Sequence, residues 1–383
     1  MSLRKPLLLI ALTVSPCFSC DQPPAGRGAG EVASSSQTNT SFKVEKVAGG
    51  LQVPWSIVWA PDGRMIFAER PGRVRVVENG TLRPQPLFVV SDVESTGESG
   101  LMSLALHPQF SSNGFIYLSY AYSSGGMRVR VVRYREAPEG FADRKVIIED
   151  IPGAQFHAGC RLRFGRDGKL YITTGDAGKR DLAQQLNSLA GKTLRLNDDG
   201  SIPQDNPFVG QQNARPEIWS YGHRNAQGLD FQPDSNLMFQ TEHGPSGFDG
   251  GQGADEVNIV ERGKNYGWPV IRRNETRAGM ESPLLEYTPA CAPASGAFYR
   301  GAAFPSFKGN FFFGCLRGER LIRVVLDGRK VVSQEDLIKD YGRIRDVTEG
   351  PDGNLYFSTS NRDGRGKPAE DDDRILRLVP AAR

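Results

Sequence analysis

Histidine is scarce in this 383-residue chain, with four in all. Three of them sit in unusual local sequence: His157 in FHAGCRLRF, His223 in YGHRNAQGL and His243 in TEHGP. An imidazole with a pKa of about 6.5 can take or give a proton at physiological pH. A loop histidine bonded to backbone is the plain alternative for each, and it is the reading for His107, which precedes Pro108 in an ordinary turn. Arginines form a second set. Arg224 and Asn225 follow His223, and Arg343 and Arg345 alternate in GRIRDV, so on a strand they share one face. Such a pair suits a ligand with several carboxylates, because guanidinium binds carboxylate bidentately; the alternative is a solvated strand face. A third set lies in EHGPSGFDGGQGADEVNIVERGKNYGWP, residues 242–269. Its backbone carbonyls, with Asp249, Asp255 and Glu256, offer the hard oxygen ligands that calcium prefers, although the spacing is not that of an EF-hand loop.

These residues flank a repeated unit. An apolar strand runs into a turn with Pro, Asp or Gly, and a second alternating strand follows. The unit occurs at 56–70 (SIVWAPDGRMIFAER), 103–120, 161–176 (RLRFGRDGKLYITTGD), 228–244, 303–316 (AFPSFKGNFFFGCL) and 346–361 (DVTEGPDGNLYFSTSN). β-Branched and aromatic arms joined by such turns read as β-hairpins. Spacings of roughly 45 to 70 residues suit one four-stranded blade plus its loops. The pattern predicts an all-β fold, a six-bladed β-propeller, which protects strand edges by radial repetition. A β-sandwich would not explain six copies of one hairpin. In a propeller, residues just outside the strands gather at one end of the central channel, where the histidines and arginines would meet. The one helix-like stretch, 181–190, is short and belongs to a loop.

Composition agrees with a folded, turn-rich chain: 38% of residues are hydrophobic, 24% are charged, and there are 44 glycines and 25 prolines. A net charge of +3 gives no electrostatic case for nucleic acid as a partner. At the N-terminus, Arg4 and Lys5 precede a short apolar run from Leu7 to Val14, followed by SPCFSC. This reads as an export signal over 1–19 in which Cys20 is acylated after cleavage, placing the protein outside the cytoplasm with a lipid anchor as its membrane contact. Cys17 stands where leucine is usual, so plain secretion is the alternative. Residues 20–41 read as a flexible tether and 42–383 as the propeller domain. Among the five cysteines, Cys291 and Cys315 have a bridge open to them in an oxidising compartment, which would leave Cys160 odd.

Beyond the hairpins the chain carries VPWSIVWAPDGRMIFAERPGRV, GESGLMSLALHPQF, HAGCRLRFGRDGKLYITTGD, EIWSYGHRNAQGL, GKNYGWP and RIRDVTEGPDGNLY, in that order. Through these pieces it resembles the soluble quinoprotein sugar dehydrogenases, six-bladed propellers that use pyrroloquinoline quinone (PQQ) and calcium. It looks closer to the aldose sugar dehydrogenase branch. The resemblance implies oxidation of the anomeric hydroxyl of an aldose to a lactone, by hydride transfer to the quinone and onward to an external electron acceptor. It implies His157 as general base and Asp176 as the carboxylate that orients it. Arg224 and Asn225 would meet the quinone oxygens, with Glu98 nearby at a position that is Gln in the glucose enzyme. Arg343, Arg345 and Arg317 would hold the cofactor's carboxylates. The carbonyls of Gly244 and Pro245 would bind the active-site calcium, and Glu256 with the Tyr266 carbonyl a second, structural one.

Two departures stand out. The loop 246–254 is longer than the family's short turn, and Thr288 stands where the glucose enzyme places an aromatic against the sugar. A preference for glucose therefore does not carry over. Two rival functions use the same fold. A calcium-dependent lactonase propeller would need carboxylates clustered around its metal rather than Arg343-x-Arg345, and a non-enzymatic binding propeller would need neither His157 nor the arginines.

Overall fold

The computed structural model describes residues 40–381, apart from Gln252 and the side chain of Phe248. The proposed export signal and all but the last two residues of the tether lie outside the described residues. Six sheets, each built round four antiparallel strands, follow one another along the chain; five use consecutive strands and the sixth joins the two ends of the domain. Blade 1 comprises Pro54–Trp59, Met65–Glu69, Arg73–Glu78 and the short Thr81–Leu82, with Phe88–Val89 also pairing to its third strand. Blade 2 is Leu101–Leu106, Phe115–Ser123, Met127–Ala137 and Gly140–Pro152. Blade 3 is Leu162–Phe164, Leu170–Thr173, Lys192–Leu196 and Ile218–Tyr221. Blade 4 is Ala226–Phe231, Met238–Glu242, Asp255–Val260 and Leu285–Tyr287. Blade 5 is Pro293–Phe298, Phe311–Cys315, Arg320–Asp327 and Lys330–Ile338. Blade 6 takes Ile344–Glu349, Leu355–Thr359 and Ile375–Pro380 from the C-terminal end and Phe42–Ala48 from the N-terminal end.

The first strand of each blade packs against the first strands of its two neighbours, so the ring closes. Phe42 pairs with Pro380 and Ala48 with Ile375, so the two ends of the domain share one sheet. Blade 6 is also bolted to blade 1, where Asp346 accepts the Ile57 backbone N–H at 2.7 Å.

The predicted hairpins are the inner two strands of the blades. They are legible because both faces are buried between neighbouring blades, so apolar residues run almost continuously through them. The Asp-Gly turns supply the positive φ that these hairpins need at Gly63, Gly168 and Gly353. One hairpin is corrected. Its first arm is Pro293–Phe298, and 303–310 forms the connection, with a 3₁₀ turn at Pro305–Phe307. Phe304 and Phe307 stack within 4.9 Å there, so this apolar stretch fills the core between blades from a loop. Likewise only Arg180–Gln184 of the helix-like stretch is helical, as 3₁₀.

Candidate active site

Residues that follow second strands and precede first strands converge at one mouth of the channel, as the hairpin argument requires. His157 precedes blade 3 and Asp176 leaves its second strand. Gly175 lets them approach, since a Cβ there would stand 1.8 Å from the His157 carbonyl oxygen. His157 adopts a left-handed backbone at φ 55° and points Nδ1 at Asp176 Oδ1, 2.7 Å away. Asp176 is fully committed, accepting the Gly178 N–H at 2.8 Å and the Trp268 indole N–H at 2.9 Å. A carboxylate on Nδ1 fixes the tautomer whose Nε2 is the basic atom.

A cavity of about 380 Å³ is lined by His157, Glu98, Arg224, His243, Gly244, Arg317 and Arg343, among others. A smaller recess of about 130 Å³ shares Glu98, His243 and Arg343 and adds Arg70, Arg345 and Asp363. Around the two together stand six arginines (70, 224, 317, 343, 345 and 365) against the carboxylates of Glu98, Asp255 and Asp363. Asp363 lies 2.7 Å from an Arg343 nitrogen and 3.9 Å from one of Arg345. Burial opposes its ionisation, but these arginines outweigh that and hold its pKa below the usual range. Partial burial opposes ionisation of Glu98, yet the neighbouring His243 and His157 imidazoles and Arg365, which meets it at 2.6 Å, bring its pKa down to about 2. Glu98 also bonds the His157 backbone N–H at 3.3 Å and the Asn225 amide at 3.4 Å. Asn225 Oδ1 in turn accepts the Gly159 N–H at 3.2 Å. Burial pushes His243 down to about 3, so it is neutral at physiological pH.

Arg224 is the most enclosed of the cations. Its Nε donates to Asp249 at 2.9 Å, Nη1 to the His243 carbonyl at 3.0 Å, and its guanidinium lies 5.4 Å from the Trp268 ring centre. Asp249 is thus an arginine partner rather than the calcium ligand suggested by its neighbourhood. Asp255 is occupied too, accepting the backbone N–H groups of Gly244 and Ala292. His223 is corrected to a structural role, being buried with Ser220 at 2.9 Å and Glu242 at 2.9 Å and stacked on Tyr266. Cys291 and Cys315 carry free, buried thiols. The two departures in sequence meet physically: Thr288 Oγ1 accepts the Ala254 N–H at 2.9 Å and so anchors the end of the long loop.

Glu256 stands in register with Glu242 on one strand and Glu286 on another. Burial and those carboxylates push its pKa well above the usual range. Asn258 donates to it at 2.9 Å, while its own Oδ1 is buried with no described partner. Tyr266 lies close by, through its stacking on His223. Among the described residues no three His, Cys, Asp or Glu side chains converge as a metal cluster. A larger recess, about 440 Å³, opens at the other mouth of the channel, but no histidine lines it and its Arg163, Asp230 and Arg300 pair with one another.

The Glucose / Sorbosone dehydrogenase profile matches residues 51–376, the whole ring but for its edges. The chain belongs to this family. Aldose sugar dehydrogenase YliI of Escherichia coli is 36% identical, with 85% of this chain and 91% of that protein covered. A solved structure of a Thermus protein, described as an oxidoreductase of the glucose dehydrogenase kind, has a TM-score of 0.83 at 43% identity, covering 88% of this chain and all of that one. The PQQ-bound aldose sugar dehydrogenase of Streptomyces coelicolor has a TM-score of 0.78 at 32% identity, covering 89% and 98%. Membership makes the protein an oxidoreductase of the sugar dehydrogenase kind. The arginines named from sequence are legible there as cations, but Asp363, the partner of Arg343, and Arg365, the partner of Glu98, are not. Their signal was positional: they leave a second strand at the same mouth as Asp176 and His243.

Proposed function

We propose that this protein is a PQQ-dependent aldose dehydrogenase that oxidises the anomeric hydroxyl to a lactone and passes the electrons to an external acceptor. The observation that carries the reading is the pairing of the His157–Asp176 dyad with an arginine-rich wall across one cavity. The fit to a quinone with several carboxylates rests on charge and on orphaned donors. Arginines outnumber carboxylates, and Arg345 Nε, Arg70 Nε and His243 Nε2 are buried without a described partner. Arg343, Arg345 and Arg317 would hold carboxylates, and Arg224 and Asn225 the quinone oxygens. When bound, the group supplies a two-electron acceptor for the hydride leaving the anomeric carbon.

The chain's own residues do the rest. His157 takes the hydroxyl proton at Nε2, and Asp176 steadies the imidazolium that forms. Arg224 and Asn225 present donors where negative charge develops. The Glu98–Arg365 pair keeps a carboxylate beside His157 without adding net charge to the wall. Calcium fits the oxygen-rich sides of the loop. The carbonyls of Gly244 and Pro245 would hold one ion beside the cavity, and Glu256 with the Tyr266 carbonyl a second. The orphaned Asn258 Oδ1 and the crowded Glu256 carboxylate support the second site.

Reconstitution tests the reading. Apo-protein given PQQ and calcium should reduce an artificial dye with an aldose and release lactone. Lactone hydrolysis without PQQ, and no dye reduction with it, would overturn the proposal.

A further inference from the structure

Asp249 belongs to the part of the loop that is longer than the family's short turn, and its carboxylate is buried against Arg224. The Gly247–Asp249 turn ends at Gly250, whose φ of 77° is left-handed, so the chain turns sharply just after Asp249. Asp249 N–H donates to the Ser246 carbonyl at 3.3 Å, and its own carbonyl accepts Arg272 Nη1 at 3.3 Å. With the backbone pinned on both sides, Oδ2 meets Arg224 Nε at 2.9 Å and Nη2 closer still. Nη1 is taken by the His243 carbonyl. Ser246 Oγ accepts the second Nη2 donor at 3.5 Å. A guanidinium has five N–H donors, so these contacts fix its plane and leave one donor, on Nη1.

Arg224 also lies over Trp268, whose indole N–H holds Asp176, which holds His157. One contiguous chain of contacts therefore runs from the extra loop to the base. We propose that Asp249 is a positioning residue for Arg224: it fixes the guanidinium plane toward the quinone oxygens and offsets the arginine's charge. This rests on the dehydrogenase reading above. Two effects follow with opposite signs. Removing the carboxylate leaves the cavity more positive, so an anionic cofactor binds more tightly. It also frees the guanidinium to rotate, so turnover at saturating cofactor falls. A loop residue that merely supports the fold would lower stability, affinity and turnover together.

The experiment compares Asp249→Asn and Asp249→Ala with the wild type. PQQ is titrated into each apo-protein by absorbance, turnover is measured at saturating PQQ and calcium, and the Arg224 Nε–H resonance is followed by ¹⁵N-arginine NMR without cofactor. Expected are a dissociation constant for PQQ lowered about 3- to 10-fold in both variants and a kcat lowered about 10-fold or more in Asp249→Ala. Asp249→Asn, which keeps an acceptor for Nε–H, should lose less. The Nε–H resonance should shift in both. Unchanged affinity, turnover and resonance in folded variants would overturn the proposal, as would parallel losses of affinity and turnover. If the wild type binds no PQQ, the dehydrogenase reading fails on its own. An unshifted resonance would then still decide against the Asp249–Arg224 contact.

Discussion

His157 owes its position to a residue with no side chain and its tautomer to a carboxylate that two other donors hold in place. Gly175 leaves no room for a Cβ, and Asp176 spends its oxygens on His157, Gly178 and Trp268. His157→Ala should therefore keep PQQ affinity near wild type and lower kcat roughly 10²- to 10⁴-fold, the usual worth of a positioned base. Arg343 and Arg345 should behave differently from it and from each other. Arg345→Met removes a cation whose Nε is unpartnered, so PQQ binding should weaken by about 1.5–3 kcal/mol in a direct titration. Arg343→Ala also strips Asp363 of its 2.7 Å partner, so stability should fall along with affinity. His243 makes a pH prediction. Its folded pKa is near 3, whereas an unfolded histidine titrates near 6.5. Between those values the unfolded chain binds the extra proton. Stability of the cofactor-free protein should thus fall as pH drops from 6.5 to 3, with His243 contributing at most about 1.4 kcal/mol per pH unit. Denaturant unfolding at stepped pH should show a shallower acid limb for His243→Gln; an unchanged limb would remove His243 from the account. At this scale the sequence showed which groups were cations and bases. It did not show that Asp249 would face Arg224 or that Asp363 would face Arg343, because each pair joins separate segments of the chain.

The elements that carry these side chains were legible where burial is two-sided. Inner strands such as Met65–Glu69 and Leu355–Thr359 are buried along their whole length, and a near-continuous apolar run after an Asp-Gly turn announces them. Outer strands are half-exposed and irregular: Gly140–Pro152 pairs with its neighbour through three register shifts, a pattern no simple alternation reveals. Phe304 and Phe307 misled for the opposite reason, being apolar loop residues packed into a core. The Phe42–Ala48 strand gives the element-scale prediction. Phe42 and Val44 pack against the blade 6 core, and without this strand Ile375–Pro380 becomes an open edge. A chain beginning at Ser41 should unfold like the full-length protein. One beginning at Gly50 should lose roughly 3–5 kcal/mol, the scale for large apolar side chains leaving a core, and should self-associate. Equal denaturation midpoints for the two would show that the ring closes without its N-terminal strand.

Across the molecule, the channel between the two mouths is plugged rather than open. Arg161, nearly inaccessible to solvent, lies 3.1 Å from Asp346 and 4.4 Å from the Trp55 ring centre, and bonds blade 4 through the Gln227 carbonyl at 3.1 Å. Arg161→Ala leaves a buried carboxylate uncompensated, so chemical denaturation should show a loss of about 3–5 kcal/mol. Calcium is expected to act at the same scale. Exhaustive chelation should lower thermal stability and PQQ affinity together, because an ion bound to the native state stabilises it in proportion to its affinity. On the expectation that Cys20 carries a lipid anchor, Cys20→Ala should move the protein from membrane to soluble fractions; unchanged fractionation would leave plain secretion or another anchor as the better reading. With PQQ bound as the hydride acceptor, the His157 dyad and the arginine wall should support oxidation of a sugar at its anomeric carbon. The most direct measurement is single-turnover reduction of the PQQ-loaded protein by an aldose carrying deuterium or hydrogen at that carbon, followed by stopped-flow absorbance. Reduction should be slower with the deuterated sugar, and at least about 10²-fold slower in His157→Ala at full PQQ occupancy. Equal rates for the two sugars, together with an unchanged rate in His157→Ala, would mean that neither the anomeric hydride nor His157 takes part in the reduction.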